Sequence, residues 1–269
     1  MKKPLIMGVL NVTPDSFYDG GNFFSQSAAV EHALQMAADG ADIIDVGGES
    51  TRPGSEPTSL DDELKRVIPV IEGIRKKSDI PLSIDTYKAD VAKAAIAAGA
   101  NTINDISALS FDQGMADIVA EKRVPVIIQH IKGTPRDMQV NPFYDDVIGE
   151  IIRFFIDRIA FARAHGIEAE QIVIDPGIGF GKRLQDNLTI IRELGRLKTL
   201  GRPILIGTSM KSFIGKIAGT DRLEDRVEGT LASVAISIWN GADAVRVHDV
   251  VKTRRVVQFM QALMETGVT

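Results

Sequence analysis

The sequence predicts an α/β protein with a single (β/α)8 barrel domain over residues 1–269. Three observations support this: eight short runs are rich in valine and isoleucine, amphipathic segments separate them, and the length is close to the roughly 250 residues that such a barrel needs. Strands that are apolar on both faces belong in parallel sheets covered by helices. Neither a low-complexity segment nor a run of charge marks a domain boundary.

The eight predicted strands leave room for a helix between neighbours. In chain order they are LIMGVLNV (5–12), DIIDVGG (42–48), LSIDT (82–86), TINDIS (102–107), VPVIIQH (124–130), IVIDPG (172–177), PILIGTS (203–209) and AVRVHD (244–249). Segments such as VEHALQMAADG (30–40) and DVIGEIIRFFIDRIAFARAHG (146–166) have the 3.6-residue period of helices. The first run follows two lysines but lacks a small-residue cleavage site, which favours a buried strand over a secretory signal.

A weak internal repeat agrees with the barrel. DGADIIDVGG, AGANTINDIS and NGADAVRVHD each contain a glycine that suits the left-handed end of a helix, followed by a strand. Five residues after the glycine stands a polar residue: Asp45, Asn104 and Arg246. His248 shares the parity of Arg246, so both side chains are predicted to point the same way. Barrels place their chemistry on polar residues at the carboxyl ends of the strands.

Two glycine-containing segments resemble nucleotide-binding loops but have the wrong spacing. DPGIGFGK (175–182) has GxGxG, whereas the doubly wound dinucleotide fold, the alternative to the barrel, needs GxGxxG opening into a helix. GTSMKSFIGK (207–216) lacks the paired glycines of a P-loop, and Ile217 follows its second lysine instead of serine or threonine. The barrel is therefore favoured, and Lys211 needs another role.

Composition limits the classes of ligand. The chain has 31 lysines and arginines against 36 aspartates and glutamates, and a net charge of −5 argues against a nucleic-acid surface. It has no cysteine, which excludes disulfides and thiolate metal sites and fits a reducing compartment. No apolar run reaches the length of a membrane span. We expect a cytoplasmic protein that binds a small ligand, and neither nucleic acid nor membrane.

Polar side chains follow the predicted strands and are expected to meet at one mouth of the barrel. They are Asn11, Asp45, Asp85, Asn104, His130, Asp175, Lys211, Arg246 and His248. Carboxylates, amides and a lysine match the donor and acceptor edge of a planar heterocycle, and Arg246 with His248 suits an anion such as phosphate. Each residue alone is as well explained by helix capping or turn closure, but one shared rim favours a binding site.

Metal and nucleophile patterns narrow the chemistry further. No histidine or cysteine cluster has the spacing of a zinc site, whereas Mg²⁺ shared between Asn11 and ligand oxygens is compatible with the sequence. No serine stands in a recognisable nucleophile elbow, so no covalent intermediate is expected. The segments 13–25 and 47–59 are too long and glycine-rich for plain connectors, and we predict that they are binding loops, the second carrying the exposed cation Arg52.

Seven motifs, in this order and spacing, resemble the dihydropteroate synthase family, folate-pathway enzymes with a (β/α)8 barrel. They are GVLNVTPDSFYDGG (8–21), DVGGESTRPG (45–54), SIDT (83–86), INDIS (103–107), DPGIGFGK (175–182), GTSMKSFIG (207–215) and RVHD (246–249). The resemblance implies condensation of p-aminobenzoate with 6-hydroxymethyl-7,8-dihydropterin pyrophosphate to give 7,8-dihydropteroate, with pyrophosphate leaving before the amine attacks. It also implies Mg²⁺ and a homodimer.

The resemblance further implies a division of roles. The pterin would contact Asp85, Asn104, Gln129, Asp175, Phe180, Gly207 and Lys211. Pyrophosphate would contact Asn11, Arg52, Arg246 and His248, with Mg²⁺ at Asn11. The p-aminobenzoate pocket would comprise Phe17, Thr51, Arg52, Pro53, Phe180, Ser209 and Ser212, with Asp15 and Ser16 on the same loop as Phe17. The catalytic residues would be Arg52, Asp85, Lys211, Arg246 and His248.

Two positions depart from the family pattern, and two alternatives remain open. Met210 stands where an arginine usually precedes the lysine, and Gln129-His130-Ile131 replaces Met-His-Met. One alternative is a barrel resembling methyltetrahydrofolate:corrinoid methyltransferases, which would not need the motifs TPDSF, STRPG or SFIG. The other is a non-catalytic pterin-binding homologue, against which the intact cations of the predicted site argue.

Overall fold

The computed structural model describes residues 3–13 and 26–266, and its strands form one parallel barrel. The strands are β1 (Leu5–Asn11), β2 (Ile43–Gly47), β3 (Leu82–Asp85), β4 (Thr102–Asp105), β5 (Val126–Gln129), β6 (Ile172–Asp175), β7 (Leu205–Ile206) and β8 (Ala244–Val247). They pair in the order β6-β5-β4-β3-β2-β1-β8-β7, and a parallel bridge between Ile174 and Ile204 joins the two ends. The predicted (β/α)8 barrel is confirmed, with a strand in each of the eight predicted runs.

Helices follow the strands on the outside of the barrel. In the described ranges they are α1 (Gln26–Asp39), α2 (Leu60–Arg75), α3 (Ala89–Ala98), α4 (Met115–Lys122), α5 (Val147–Ala164), α6 (Leu184–Arg192), α7 (Ser212–Ala218), α8 (Val227–Trp239) and α9 (Val250–Glu265). Ser59, Asp146 and Asp249 cap α2, α5 and α9 by accepting backbone N–H bonds. None of these helices has the length and apolar character needed to cross a membrane.

The three glycines of the internal repeat adopt the predicted left-handed backbone. Their φ angles are +103° at Gly40, +117° at Gly99 and +100° at Gly241. Gly99 ends α3, and its N–H bonds the carbonyl groups of Ala95 and Ile96. A residue with a Cβ is strained in this conformation, so glycine lets the chain leave each helix and enter the next strand at once.

The interior of the barrel consists of an apolar layer with a polar layer beyond it. Strand side chains alternate between the interior and the helix-facing surface. The apolar layer contains Met7, Ile43, Ile127, Val173, Leu205 and Ala244. Two residues further along β2, β5, β6, β7 and β8 come Asp45, Gln129, Asp175, Gly207 and Arg246. The polar layer therefore lies at the carboxyl ends of the strands, above an apolar floor.

The alternate residues of the strands pack against the helices in the main core. Ile44, Ile84 and Ile128 are fully buried there, as is Phe155 of α5. Burial of such side chains contributes about 1.5–3 kcal/mol each. This core holds the strand register, and the register sets which polar side chains meet inside the barrel.

Candidate active site at the carboxyl ends of the strands

Most of the predicted site residues come to one mouth of the barrel. Asn11, Asp85, Gln129 and Asp175 end β1, β3, β5 and β6, whereas Asn104 and Arg246 lie within β4 and β8. Gly207, Ser209 and Lys211 follow β7, and His248 follows β8. Strand pairing places Asp85 beside Asn104 and Gln129 beside Asp175. Residues far apart in the chain thus share one polar surface.

Arg246 is held between two carboxylates. Its Nε donates to Asp45 Oδ2 at 2.6 Å, and its Nη2 donates to Asp85 Oδ2 at 2.5 Å. Burial disfavours the charged form of Arg246 and so lowers its pKa. The attraction of the two carboxylates is larger and raises the pKa of Arg246 above the usual value. Burial raises the pKa of Asp85 to about 7, opposed by Arg246 and reinforced by Asp45. Two carboxylates thus share one guanidinium at the centre of the mouth.

Four buried polar atoms in or next to this layer have no hydrogen-bond partner among residues 3–13 and 26–266. They are Asp45 Oδ1, Ser83 Oγ, Asn104 Oδ1 and Gln129 Nε2. The other end of the Asn104 amide is occupied, because its Nδ2 donates to Asp45 Oδ2 at 3.0 Å. Buried polar atoms normally have partners, and leaving one without a partner costs about 1–3 kcal/mol. These atoms indicate a surface that is completed by a polar ligand.

The DPGIGFGK segment turns sharply after β6. Gly177, Gly179 and Gly181 have φ angles of +68°, +82° and +65°. A Cβ on Gly177 would collide with the carbonyl oxygen of His130, so only glycine lets the two loops approach this closely. Asp175 Oδ1 accepts the Gly177 N–H at 2.7 Å. Burial raises the pKa of Asp175, opposed by this bond and then by Lys211.

Lys211 reaches the mouth from the loop that precedes α7. Its Nζ lies 4.4 Å from the centroid of the Phe180 ring, within the range of a cation–π interaction. Burial and the charge of Arg246 lower the pKa of Lys211 to about 8, and Asp175 and Asp85 act in the opposite direction. Lys211 is therefore protonated at pH 7.

His248 is hydrogen-bonded to Ser209 at the mouth. Its Nδ1 lies 3.0 Å from Ser209 Oγ, and its backbone N–H donates to the same oxygen. The residue is exposed at the rim. Loss of hydration in the mouth and the nearby cations Arg246, Lys211 and Arg52 lower its pKa to about 4. At neutral pH it offers an anion a hydrogen bond and no charge.

The loop after β2 carries the predicted rim residues. Thr51 is half-buried, whereas Arg52 and Pro53 are exposed. The positive charge of Arg52 acts on His248, because it is one of the charges that lower the pKa of that imidazole. Ser212, the first residue of α7, is exposed as well. Phe17, with Asp15 and Ser16, lies outside the described residues, so its place in a p-aminobenzoate pocket stays a prediction.

Met210 has an unusual backbone conformation. Its φ of +59° lies in the left-handed region, which a non-glycine residue enters at some energetic cost. Its N–H donates to Thr230 Oγ1 at 3.1 Å, and its carbonyl accepts Arg226 Nη1 at 3.0 Å. These bonds from α8 and the turn before it determine the path of the chain between Ser209 and Lys211.

Two functional features were missed by reasoning from the sequence. The first is the role of Asp45, which the repeat identifies as a polar strand residue but not as the partner of both Asn104 and Arg246. The second is Lys182, whose buried Nζ lies 2.9 Å from His130 Nδ1 and donates to the Phe180 carbonyl at 3.0 Å. Burial lowers the pKa of Lys182 to about 7. The only sequence feature that pointed to Lys182 was its position at the end of the DPGIGFGK motif.

Comparison with known proteins agrees with this geometry. A family model described as pterin binding enzyme matches residues 7–248. A dihydropteroate synthase of Synechocystis sp. is 47% identical over 262 residues, covering 97% of this chain and 91% of the relative.

Solved structures agree as well. The Xanthomonas albilineans dihydropteroate synthase with 4-aminobenzoic acid has a TM-score of 0.92 and 46% identity, covering 97% of this chain and 93% of that one. The Yersinia pestis dihydropteroate synthase with a sulfonamide drug complex has a TM-score of 0.93 and 41% identity, covering 98% and 95%. The chain therefore belongs to the dihydropteroate synthase family of pterin-binding transferases.

Proposed function

We propose that the polar barrel mouth is where this enzyme joins p-aminobenzoate to 6-hydroxymethyl-7,8-dihydropterin pyrophosphate, the reaction of its family. The observation that carries the assignment of the site is the set of buried, unpartnered polar atoms of Asp45, Asn104 and Gln129 around the Arg246–Asp85 pair. A flat ligand with donors and acceptors along its edge would satisfy such a surface.

The pterin binds to the inner residues of the mouth. Asp175 keeps Oδ2 for the amino-pyrimidinone edge, since Oδ1 already accepts from Gly177. The protonated Lys211 donates to the ring carbonyl, and Asn104 Oδ1 accepts from a ring or amino N–H. Gly207 and Gln129 border the same space, and Phe180 holds Lys211 from the side. The apolar layer beneath supports the ring from below.

Pyrophosphate leaves toward the outer residues. The bond between the pterin methylene carbon and the bridging oxygen breaks, and its electron pair stays on the pyrophosphate. Arg246 and Arg52 supply positive charge for this anion, and His248 and Asn11 supply polar contacts. Asp85, beside Arg246, stabilises the positive charge left on the pterin methylene when it is ionised. The amine nitrogen of p-aminobenzoate then forms the new C–N bond and loses a proton.

Magnesium is proposed at Asn11. Within the described ranges no group of three or more histidine, aspartate or glutamate side chains is arranged to hold a metal ion. A single amide oxygen fits Mg²⁺ only if substrate oxygens and water complete the shell, and that is the usual arrangement for this ion. When bound, Mg²⁺ would neutralise charge on the departing pyrophosphate.

The p-aminobenzoate pocket is proposed at the rim. Thr51, Arg52 and Pro53 lie on the loop after β2, Ser209 on the loop after β7, and Ser212 at the start of α7. Phe180 completes the proposed pocket. The Xanthomonas albilineans complex with 4-aminobenzoic acid supports this proposal for the present chain. The Yersinia pestis sulfonamide complex supports the further proposal that this pocket is a sulfonamide target.

One assay tests the reaction. Purified protein is supplied with the pterin pyrophosphate, Mg²⁺ and p-aminobenzoate, while pyrophosphate release and 7,8-dihydropteroate formation are followed together. We expect equal amounts of the two products. A protein that forms no dihydropteroate, or whose pyrophosphate release is indifferent to p-aminobenzoate, would contradict the proposal.

A homodimer is proposed from the exposed apolar residues of α8 and α9. Ile236 and Trp239 are 50% and 61% exposed, and Phe259 is 66% exposed. Side chains of this kind in one region are typical of surfaces that bind another protein. We expect Trp239→Lys to shift the protein from dimer to monomer in sedimentation equilibrium, and a monomeric parent protein would contradict the proposal.

The enzyme is proposed to act in the cytoplasm. The absence of cysteine fits a reducing compartment. Fractionation of the native cells, with activity followed in each fraction, tests this, and activity confined to another compartment would contradict it.

A further inference from the structure

We propose that Asp45 is a positioning residue that sets the direction of hydrogen bonding in the pterin pocket, by holding the Asn104 amide with its oxygen toward the ligand. The proposal rests on the proposed function, because it takes the barrel mouth to be the pterin site. It concerns a residue that reaches the ligand through Asn104.

Asp45 is buried, and its carboxylate accepts hydrogen bonds from two other strands. Asp45 lies in the middle of β2, paired in register with Val9 of β1 and Ser83 of β3, and it is fully buried. Its Oδ2 receives two donors, Asn104 Nδ2 at 3.0 Å and Arg246 Nε at 2.6 Å. One carboxylate oxygen thus joins the strand that carries the amide to the strand that carries the guanidinium.

The Asp45 carboxylate fixes the orientation of the Asn104 amide. A carboxylate paired with a guanidinium only accepts hydrogen bonds, so the NH₂ end of Asn104 must face Asp45. The reverse orientation would bring two acceptors together and leave the amide N–H groups without this partner. Asn104 Oδ1 is consequently turned away from Asp45, and it is buried without a partner in the described part of the chain. The pocket therefore presents an acceptor at this point.

An Asn104 oxygen that is held in place favours binding of the pterin. An acceptor held in one orientation binds an N–H of the pterin edge without first ordering the amide, which is a form of preorganisation. In the variant Asp45→Ala, no acceptor on β2 faces the Asn104 amide, and both orientations of Asn104 would be populated. The pocket would then present a donor to an N–H for part of the time.

The main test uses two ligands and the variant Asp45→Ala. We expect the affinity for 6-hydroxymethylpterin, which carries no pyrophosphate, to fall about tenfold, as expected for loss of one hydrogen bond to a fixed acceptor, while the KM for p-aminobenzoate changes less than twofold. If Asp45 serves only as a counterion for Arg246, the affinity for the pterin pyrophosphate will fall and that for 6-hydroxymethylpterin will not, which would overturn the proposal.

A double-mutant cycle sharpens the test. Asn104→Asp alone places two carboxylates face to face and should abolish pterin binding. In the Asp45→Ala background the same change should restore affinity, because the carboxylate introduced at position 104 presents an acceptor in either orientation and no longer faces a carboxylate at position 45. Loss of affinity from Asn104→Asp in both backgrounds would overturn the proposal. Ser237→Ala, at a fully buried serine of α8 whose Oγ donates to the Ser233 carbonyl, is the control and should leave pterin affinity unchanged.

If the variants do not fold, hydrogen exchange in the parent protein tests the proposal. The side-chain amide protons of Asn104, followed by NMR, should stay protected from exchange before and after 6-hydroxymethylpterin is added. Rapid exchange in either state would show that Asp45 does not hold the amide. If the parent protein does not bind 6-hydroxymethylpterin at all, the proposed pterin site fails, and that outcome is distinct from a failure of Asp45.

Discussion

The ammonium group of Lys211 lies over the ring of Phe180, 4.4 Å from its centroid. Phe180 is buried in a small apolar cluster with Ile131 and Met138, so the ring is a fixed support for the lysine. We expect Phe180→Leu to preserve most of this packing but to remove the cation–π interaction, which contributes about 0.5–2 kcal/mol. Pterin affinity should fall between twofold and thirtyfold in a fluorescence titration. Ile131→Val is the control, and an equal effect of both changes would contradict the assignment.

Lys211 and Arg52 are expected to have different effects when each is replaced by alanine. Lys211 lies inside the mouth near Asp175, and its loss should abolish measurable pterin binding. Arg52 lies on the exposed rim, so its loss should leave pterin affinity within about twofold, a change of less than about 0.5 kcal/mol, and lower turnover. Arg136→Ala, at an exposed arginine paired with Glu56, is the control and should affect neither quantity. Similar losses of pterin binding in the first two variants would refute the division of roles.

The pH dependence of pterin binding follows from Lys211. Its pKa in the free protein is about 8, so its charge is present below pH 8 and lost as the pH rises through that value. Because a ring carbonyl favours the ammonium form, affinity for 6-hydroxymethylpterin should decline above pH 8. Lys211→Arg should bind more weakly at pH 7 but lose this decline, since guanidinium stays charged. An unchanged alkaline decline in that variant would assign the titration to another group.

Lys88 is expected to stabilise the fold beside the loop after β2. It pairs with Glu49 and with Glu63, whose side chain is fully buried. Lys88→Met should lower the free energy of unfolding by about 3–5 kcal/mol at pH 8, because it leaves a buried carboxylate without a cation. Lys122→Met, at an exposed pair, should change it by less than about 1 kcal/mol. Denaturant unfolding measures both, and equal effects would exclude a special role for Lys88.

The loss of stability in Lys88→Met should depend on pH. Burial raises the pKa of Glu63, and Lys88 acts against this effect. The penalty of the charged, buried carboxylate is present above its folded-state pKa and is relieved as the pH falls through that value. Without Lys88 the pKa rises further, so the loss of stability in Lys88→Met should be smaller at pH 5 than at pH 8. A loss that grows toward acid pH would contradict this account.

Met210→Arg should reveal whether an added cation at the mouth affects substrate capture. The backbone at position 210 is held by Thr230 and Arg226, so the change adds charge without moving Lys211. Both substrates are anionic, and electrostatic steering should raise kcat/KM about twofold to fivefold at low ionic strength, with the gain lost at about 0.3 M salt. Met210→Leu is the neutral control. A gain that persists at high salt would indicate a direct contact instead.

The barrel and the position of its polar site follow from the sequence alone. Strand and helix periodicities are local properties of the chain, and strand alternation places Asp45, Asp175 and Arg246 on the same interior face. The left-handed glycines of the repeat and the glycine-rich turn after β6 follow from local backbone geometry in the same way. The carboxyl ends of parallel strands all lie at one mouth of the barrel, so the rim residues are predictable from the order of the strands.

The pairing of these groups depends on the tertiary structure. Arg246 bonds Asp45 across 201 residues of sequence, and Lys182 bonds His130 across 52. Such pairs depend on strand register and on closure of the barrel, and no local pattern encodes either. The neutral state of His248 and the lowered pKa of Lys211 have the same origin, because burial and neighbouring charges arise only when distant strands meet.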